Sequence, residues 1–263
     1  MVELLPVATA LPPHCIEADE AKHQVDAYFG PSAARRYRQM VDGSRVRKRY
    51  TVAPVPDLLN LRTLQERNEM YAEHTRNLGE TVARRALSAV ATAPDLVTAV
   101  LSVSCTGYMM PSLDAHLVGR LGLPATVRRI PLTELGCSAG VSAVGLAADL
   151  LAGPSAGHVL LVSVEVSSPS IQVAEPSMTD MIANLLFGDG AVGVVLTNPT
   201  TGAGPLVVAS QSVLLPDSLD HLGMRMTDAG FRIVLSNRLP RLIQQSLRPT
   251  LERFLNDQGA SRT

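Results

Sequence analysis

Two kinds of apolar pattern alternate along this chain. Short unbroken runs of branched aliphatic residues read as strands covered on both faces, and longer stretches with apolar positions three and four apart read as helices. Leu96–Ser104 (LVTAVLSVS) and His158–Val166 (HVLLVSVEV) are the clearest buried strands. Val2–Ala10 reads as a first strand ended by Pro12-Pro13, and Thr126–Leu132 as a later one. Gly188-Asp189-Gly190 makes a tight turn into a strand at Ala191–Leu196, and Leu206–Leu214 reads as a further strand. Helical spacing runs through Ile16–Phe29, with Ala18, Ala21, Val25 and Tyr28 on one side, and through the basic stretch Ala33–Val41. Arg45–Tyr50 is a basic strand or loop. Leu64–Val90 is a long helix whose many charges mark a solvated face; Ser112–Leu121 and Asp180–Leu186 are shorter helices. Ser138–Leu151, rich in small and apolar residues, reads as a buried helix. Phe231–Leu235 is a strand or a helix start, Leu239–Leu255 a final amphipathic helix, and Asn256–Thr263 a polar tail.

Strands alternating with helices imply an α/β fold. Asn198–Pro205 (NPTTGAGP) is the best linker by its Gly, Pro and Thr content. It divides the chain into 1–198 and 199–263, and the strand–turn–helix start of the second part echoes the opening of the first.

Composition narrows the picture. The 263 residues suffice for one large domain or two modest ones. Hydrophobic residues make up 46%, aromatics only 3%, and Trp is absent, which suits close packing of helices on a sheet. The net charge of −1 gives no reason to expect nucleic acid or an anionic membrane as a partner. Cys15, Cys105 and Cys137 are far apart and lack C-x-x-C spacing, which argues against a disulfide framework or a metal site. Met1–Pro13 is apolar but has no basic start and three prolines, so it does not read as a signal peptide. No apolar run reaches membrane-spanning length. A cytoplasmic location follows by default.

Cys137 carries the most chemical information. It stands in Glu134-Leu135-Gly136-Cys137-Ser138-Ala139-Gly140, between a strand and a helix. Unpaired N–H groups and the positive end of a helix dipole favour thiolate over thiol. Gly136 permits a tight turn, and Ser138 and Ala139 leave room for a substrate. The competing reading is a small structural hydrophobe.

Gly136-Cys137-Ser138-Ala139-Gly140 with Gly145-Leu146-Ala147-Ala148-Asp149-Leu150 resembles the active-cysteine segment of type III polyketide synthases, the chalcone and stilbene synthase family. Val159–Glu165 resembles the strand that follows, and Leu186-Phe187-Gly188-Asp189-Gly190-Ala191 the family's F-G-D-G-A turn. Cys105–Ala115 resembles a bacterial form of the segment bordering the cavity. These motifs occur in family order over roughly Val2–Phe254.

The resemblance implies a thiolase-like fold of two related α/β halves, the N-terminal half complete at 1–198 and the C-terminal half begun but truncated over 199–263. It implies a homodimer, acyl-CoA and malonyl-CoA as substrates, and no permanently bound cofactor. Cys137 would take a starter acyl group from coenzyme A, and decarboxylation of malonyl-CoA would supply the carbanion for condensation. Phe187 matches a gatekeeper phenylalanine, and Met110 a methionine that reaches into the neighbouring subunit's cavity. Thr106, Ser167 and Ser170 match cavity-lining positions; ordinary packing is the alternative for each. Arg36 and Arg38 fall on or beside positions that hold the coenzyme A phosphates. Gly43 stands where the family often has Lys, with Arg45, Arg47, Lys48 and Arg49 nearby to supply charge; a solvated basic face is the alternative. Asp189 reads as a turn residue bonding local backbone, and Glu165 as a buried, paired carboxylate without chemistry.

The family also uses a His, in an H-P-G-G type segment, and an Asn. None of His14, His23, His74, His116, His158 and His221 has that context. Three readings therefore stand: a polyketide synthase portion inactive without a complementing C-terminal chain, a non-catalytic homologue that binds CoA or dimerises, and a ketoacyl synthase III-like condensing enzyme. Truncation would leave apolar sheet edges and faces exposed, so the isolated chain is expected to be poorly stable or to depend on a partner.

Overall fold

The computed structural model describes residues 1–28, 31–153, 157–171, 177–202 and 204–260. The strands are β1 (Val2–Leu4), β2 (Ala8–Ala10), β3 (His14–Glu17), β4 (Lys48–Thr51), β5 (Val97–Val103), β6 (Arg128–Leu132), β7 (Gly157–Glu165), β8 (Gly190–Asn198), β9 (Leu206–Val207), β10 (Leu222–Thr227) and β11 (Gly230–Leu235). The helices are α1 (Ala18–Tyr28), α2 (Pro31–Ser44), α3 (Val55–Asn60), α4 (Leu64–Ala89), α5 (Leu113–Leu121), α6 (Ala139–Leu151), α7 (Met178–Leu186) and α8 (Leu239–Asp257). Among the described residues, no helix is long and apolar enough to cross a membrane.

The main sheet runs β6-β5-β7-β8-β1-β9, with β2 also pairing β8. β5 is parallel to both β6 and β7, and the remaining pairs are antiparallel. Strand alternation sends side chains to two separate cores. Leu160, Val162 and Val164 of β7 meet Leu78, Val82 and Ala86 of α4 and Leu117 of α5 on one face. Val159 and Leu161 meet Ala139, Ala143 and Ala147 of α6 on the other. The alanines let α6 lie close on the sheet, and Gly193 does the same for α4: a Cβ there would stand 2.6 Å from the Val82 carbonyl oxygen. A third core joins α1, α2 and α7 through Val25, Tyr37, Met181 and Leu185.

Several expectations change. The first strand is two, because Pro6 interrupts the run and cannot donate to a ladder. The first helix starts at Ala18, since His14–Glu17 pairs with β4 instead; the Tyr28 side chain and Phe29 lie outside the described residues. Helix α6 is buried on one face only, and Val141 is 77% exposed. The strand expected over Leu206–Leu214 is only β9, and residues 208–214 take no regular form. Strand β10 was not foreseen; its partner β11 resolves the ambiguity at Phe231–Leu235 as a hairpin. Within the expected linker, Thr201, Gly202 and Gly204 donate to the fully buried Glu3 carboxylate, and β9 beyond it completes the main sheet.

Candidate functional site

The C-terminal ends of β5, β6 and β7 open on one cavity of about 1200 Å³. Cys137 reaches it from the step between β6 and α6. Gly136, at φ +57°, takes the left-handed conformation that strains other residues. A single 3₁₀ turn, Gly136–Ser138, then runs directly into α6. The Ser138 hydroxyl donates to the Leu135 carbonyl at 2.9 Å and closes the turn. The Cys137 thiol is exposed.

Thr106, Met110, Ser167, Ser170 and Phe187 line the same cavity as Cys137. The segment after β5 forms one wall. Gly107 lies flat on the Tyr71 ring, where a Cβ would come within 2.2 Å, and Asn68 exchanges two hydrogen bonds with the Tyr108 backbone at 2.8 and 2.9 Å. The Thr106 hydroxyl donates to Glu165 at 2.8 Å and accepts from the Val166 amide at 2.9 Å. Glu165 also accepts from the Cys105 amide at 3.1 Å. It is therefore hydrogen-bonded rather than ion-paired, and burial raises its pKa more than these donors lower it. Cys105 lines the cavity as well. Burial, and then the Glu165 carboxylate, push its thiol up to about 12. Of the two cavity thiols, Cys105 is thus held protonated at neutral pH.

Residues 167–171 and α7 form a second wall. Asp189, 4% exposed, holds it from behind. Its carboxylate accepts from the Ser168 amide at 2.8 Å, the Ser168 hydroxyl, and the Val52 amide at 2.8 Å. Asp189 is therefore structural, but it clasps two distant segments rather than its own turn. Ser167 donates to the Gly188 carbonyl at 3.0 Å, beside Phe187.

The β10–β11 hairpin supplies a third wall through Met224, Met226, Phe231 and Ile233. Nothing in the sequence reading pointed to this wall or to Arg67, which anchors it. A signal existed for Arg67: it shares the buried stripe of α4 with Tyr71, Thr75, Leu78 and Val82, where an arginine is out of place.

Arg36 and Arg38 are not among the cavity-lining residues. Both lie on α2; Arg36 is exposed, and Arg38 donates from Nε to the Lys22 carbonyl at 3.3 Å. Lys48, farther along, lies over the Tyr50 ring at 5.6 Å.

A family model for the N-terminal domain of chalcone and stilbene synthases matches residues 1–202. The 1,3,6,8-tetrahydroxynaphthalene synthase of Streptomyces peucetius subsp. caesius is 34% identical over 263 residues, a match covering 96% of this chain and 68% of that protein. The enzyme of the same name from Streptomyces coelicolor is 29% identical, over 98% of this chain and 69% of that one. Its crystal structure, described as a bacterial type III polyketide synthase, superposes with a TM-score of 0.91 at 27% identity, covering 98% of this chain and 74% of that one.

Proposed function

This chain belongs to the chalcone and stilbene synthase family of type III polyketide synthases, and from that premise we propose that Cys137 is its acyl-accepting nucleophile. The Cys137 sulfur attacks the carbonyl of a starter acyl-CoA, the bond to the coenzyme A sulfur breaks, and coenzyme A leaves as a thiol. Malonyl-CoA then loses CO₂, and the resulting carbanion attacks the acyl-Cys137 carbonyl. A carbon–carbon bond forms as the Cys137 sulfur leaves. The observation that carries this reading is the placement of an exposed thiol, at the head of α6, on the rim of a 1200 Å³ cavity with apolar walls. Phe187, Met110, Thr106, Ser167 and Ser170 shape the space for the acyl chain, and Arg36 and Arg38 contribute to holding the coenzyme A phosphates at the surface.

Condensation also needs a base and donors for the developing oxyanion, the latter worth about 3 kcal/mol each. The described lining of the cavity holds no histidine. The proposal therefore includes a requirement for complementation by a His and an Asn from a polypeptide equivalent to the rest of the family's C-terminal half, within a homodimer. The same observation favours a second reading, a non-catalytic homologue that retains coenzyme A binding or dimerisation.

Incubation with acyl-CoA followed by peptide mapping tests the first step. An acyl adduct on Cys137, lost in Cys137→Ser, is expected. No adduct from any acyl-CoA, with or without the complementing polypeptide, would transfer the case to the second reading.

A further inference from the structure

The hairpin wall of the cavity has no large sheet behind it. Among the described residues β10 and β11 pair only with each other, and a lone hairpin is marginally stable in water. Arg232 of β11 pairs with Asp180 of α7 at 3.7 Å, and Arg67 ties the hairpin turn to the rest of the site. The Arg67 side chain is 7% exposed, yet its hydrogen-bond partners are backbone carbonyls rather than a carboxylate. Nε donates to Ala229 at 2.8 Å, in the turn between β10 and β11. Nη1 donates to Pro169 and, at 2.9 Å, to Ile171, the two residues flanking Ser170. Nη2 donates to Leu61 at 2.7 Å, just ahead of α4. The Leu64 amide adds a bond to the Asp228 carbonyl at 2.9 Å, in the same hairpin turn.

One planar guanidinium thus joins three segments, and two of them carry adjoining walls of the cavity. Its rigid fork can meet four carbonyls in different directions at once. An ammonium group has three donors on a flexible stem and cannot. Arg67 itself is not a lining residue.

We propose that Arg67 is a positioning residue that sets the separation between the Ser167–Ile171 wall and the β10–β11 wall, and so the length of acyl chain admitted beside Cys137. Its meaning for catalysis rests on the reading of Cys137 as the acyl acceptor; the geometric claim does not.

The test uses N-methylmaleimide and N-octylmaleimide on the full chain, with adducts at Cys137 read by peptide mapping. These probes need no coenzyme A chemistry, so a failure of acyl loading and a failure of this proposal are separate results. In Arg67→Lys the methyl probe should react as in the wild type. The octyl-to-methyl rate ratio should change by up to about 100-fold, the scale reached when a distant mutation misplaces a site by about 1 Å. An unchanged ratio in the folded variant would overturn the proposal, and so would a parallel change in both rates, which signals general loosening. A second measurement needs no variant. Hydrogen exchange of the wild type should show the β10–β11 amides better protected than those of α8, and equal protection would also overturn the pin.

Discussion

Asp189 shows how far a single side chain can depart from its local context. Between two glycines it reads as a turn residue, yet it accepts hydrogen bonds from Val52 and Ser168, 137 and 21 residues away. Burial pushes its pKa up, and the bonds from Ser168 and Val52 partly offset this. In Asp189→Ala the buried Val52 and Ser168 donors lose their acceptor, at about 1–3 kcal/mol each. Urea unfolding should therefore show a loss of about 2–6 kcal/mol; a loss within error would mean that other acceptors take over both amides. The position of Cys137 at a cavity was legible because its signal is local: a strand, a glycine, a thiol and a run of small residues. The six residues named from the family motifs meet at one cavity for the same reason, each lying in a short recognisable segment. The links from Asp189 to Val52 and from Arg67 to Ala229 and Pro169 were hidden because they span 102 to 162 residues and end on backbone atoms, which carry no side-chain signature.

Among the elements, α4 was the most legible and has the most to organise. Thr63 and Glu66 form a capping box at its start, and its buried stripe runs from Arg67 to Leu87, about six turns. Strands were harder to bound. Pro6 splits the first because it removes a ladder donor, and the run after Leu206 stays mostly unpaired because pattern alone does not supply a neighbouring strand. Helix α4 also joins α5 through charge. Glu80 bonds Arg120 at 2.8 Å and Arg84 at 2.8 Å. Arg120 first, then Arg84, hold the Glu80 carboxyl at about 2. A carboxyl lowered on folding binds more protons when unfolded, so its contribution is complete above about pH 4.5 and fades as pH falls toward 2. Salt and solvent limit that contribution to about 1 kcal/mol. Glu80→Gln should therefore lower the urea midpoint at pH 5 and leave it nearly unchanged at pH 2, with the pH 5 difference shrinking in 1 M NaCl. An equal loss at both pH values would assign the effect to packing instead.

Across the whole molecule, burial is distributed very unevenly. The sheet between α4 and α6 holds two continuous cores, in which Val100, Leu101, Leu160 and Leu196 have no exposed surface. Helix α8 has no buried residue, and Ile243, Leu247 and Leu251 stay exposed at four-residue spacing along it. Pro249 inside the helix also removes one of its hydrogen bonds. A helix of this length draws most of its stability from packing of an apolar face, which α8 lacks within the described residues. Local opening should follow the same gradient. Native-state hydrogen exchange should find the α8 amides opening at nearly zero free energy and the β5 and β7 amides opening only with global unfolding. The hairpin pinned by Arg67 should lie between them. If the proposed complementing polypeptide covers the apolar face of α8, its addition should slow exchange along α8 without altering β7. If α8 were already as protected as β7 in the isolated chain, its apolar face would be covered by self-association, and protection would then fall on dilution.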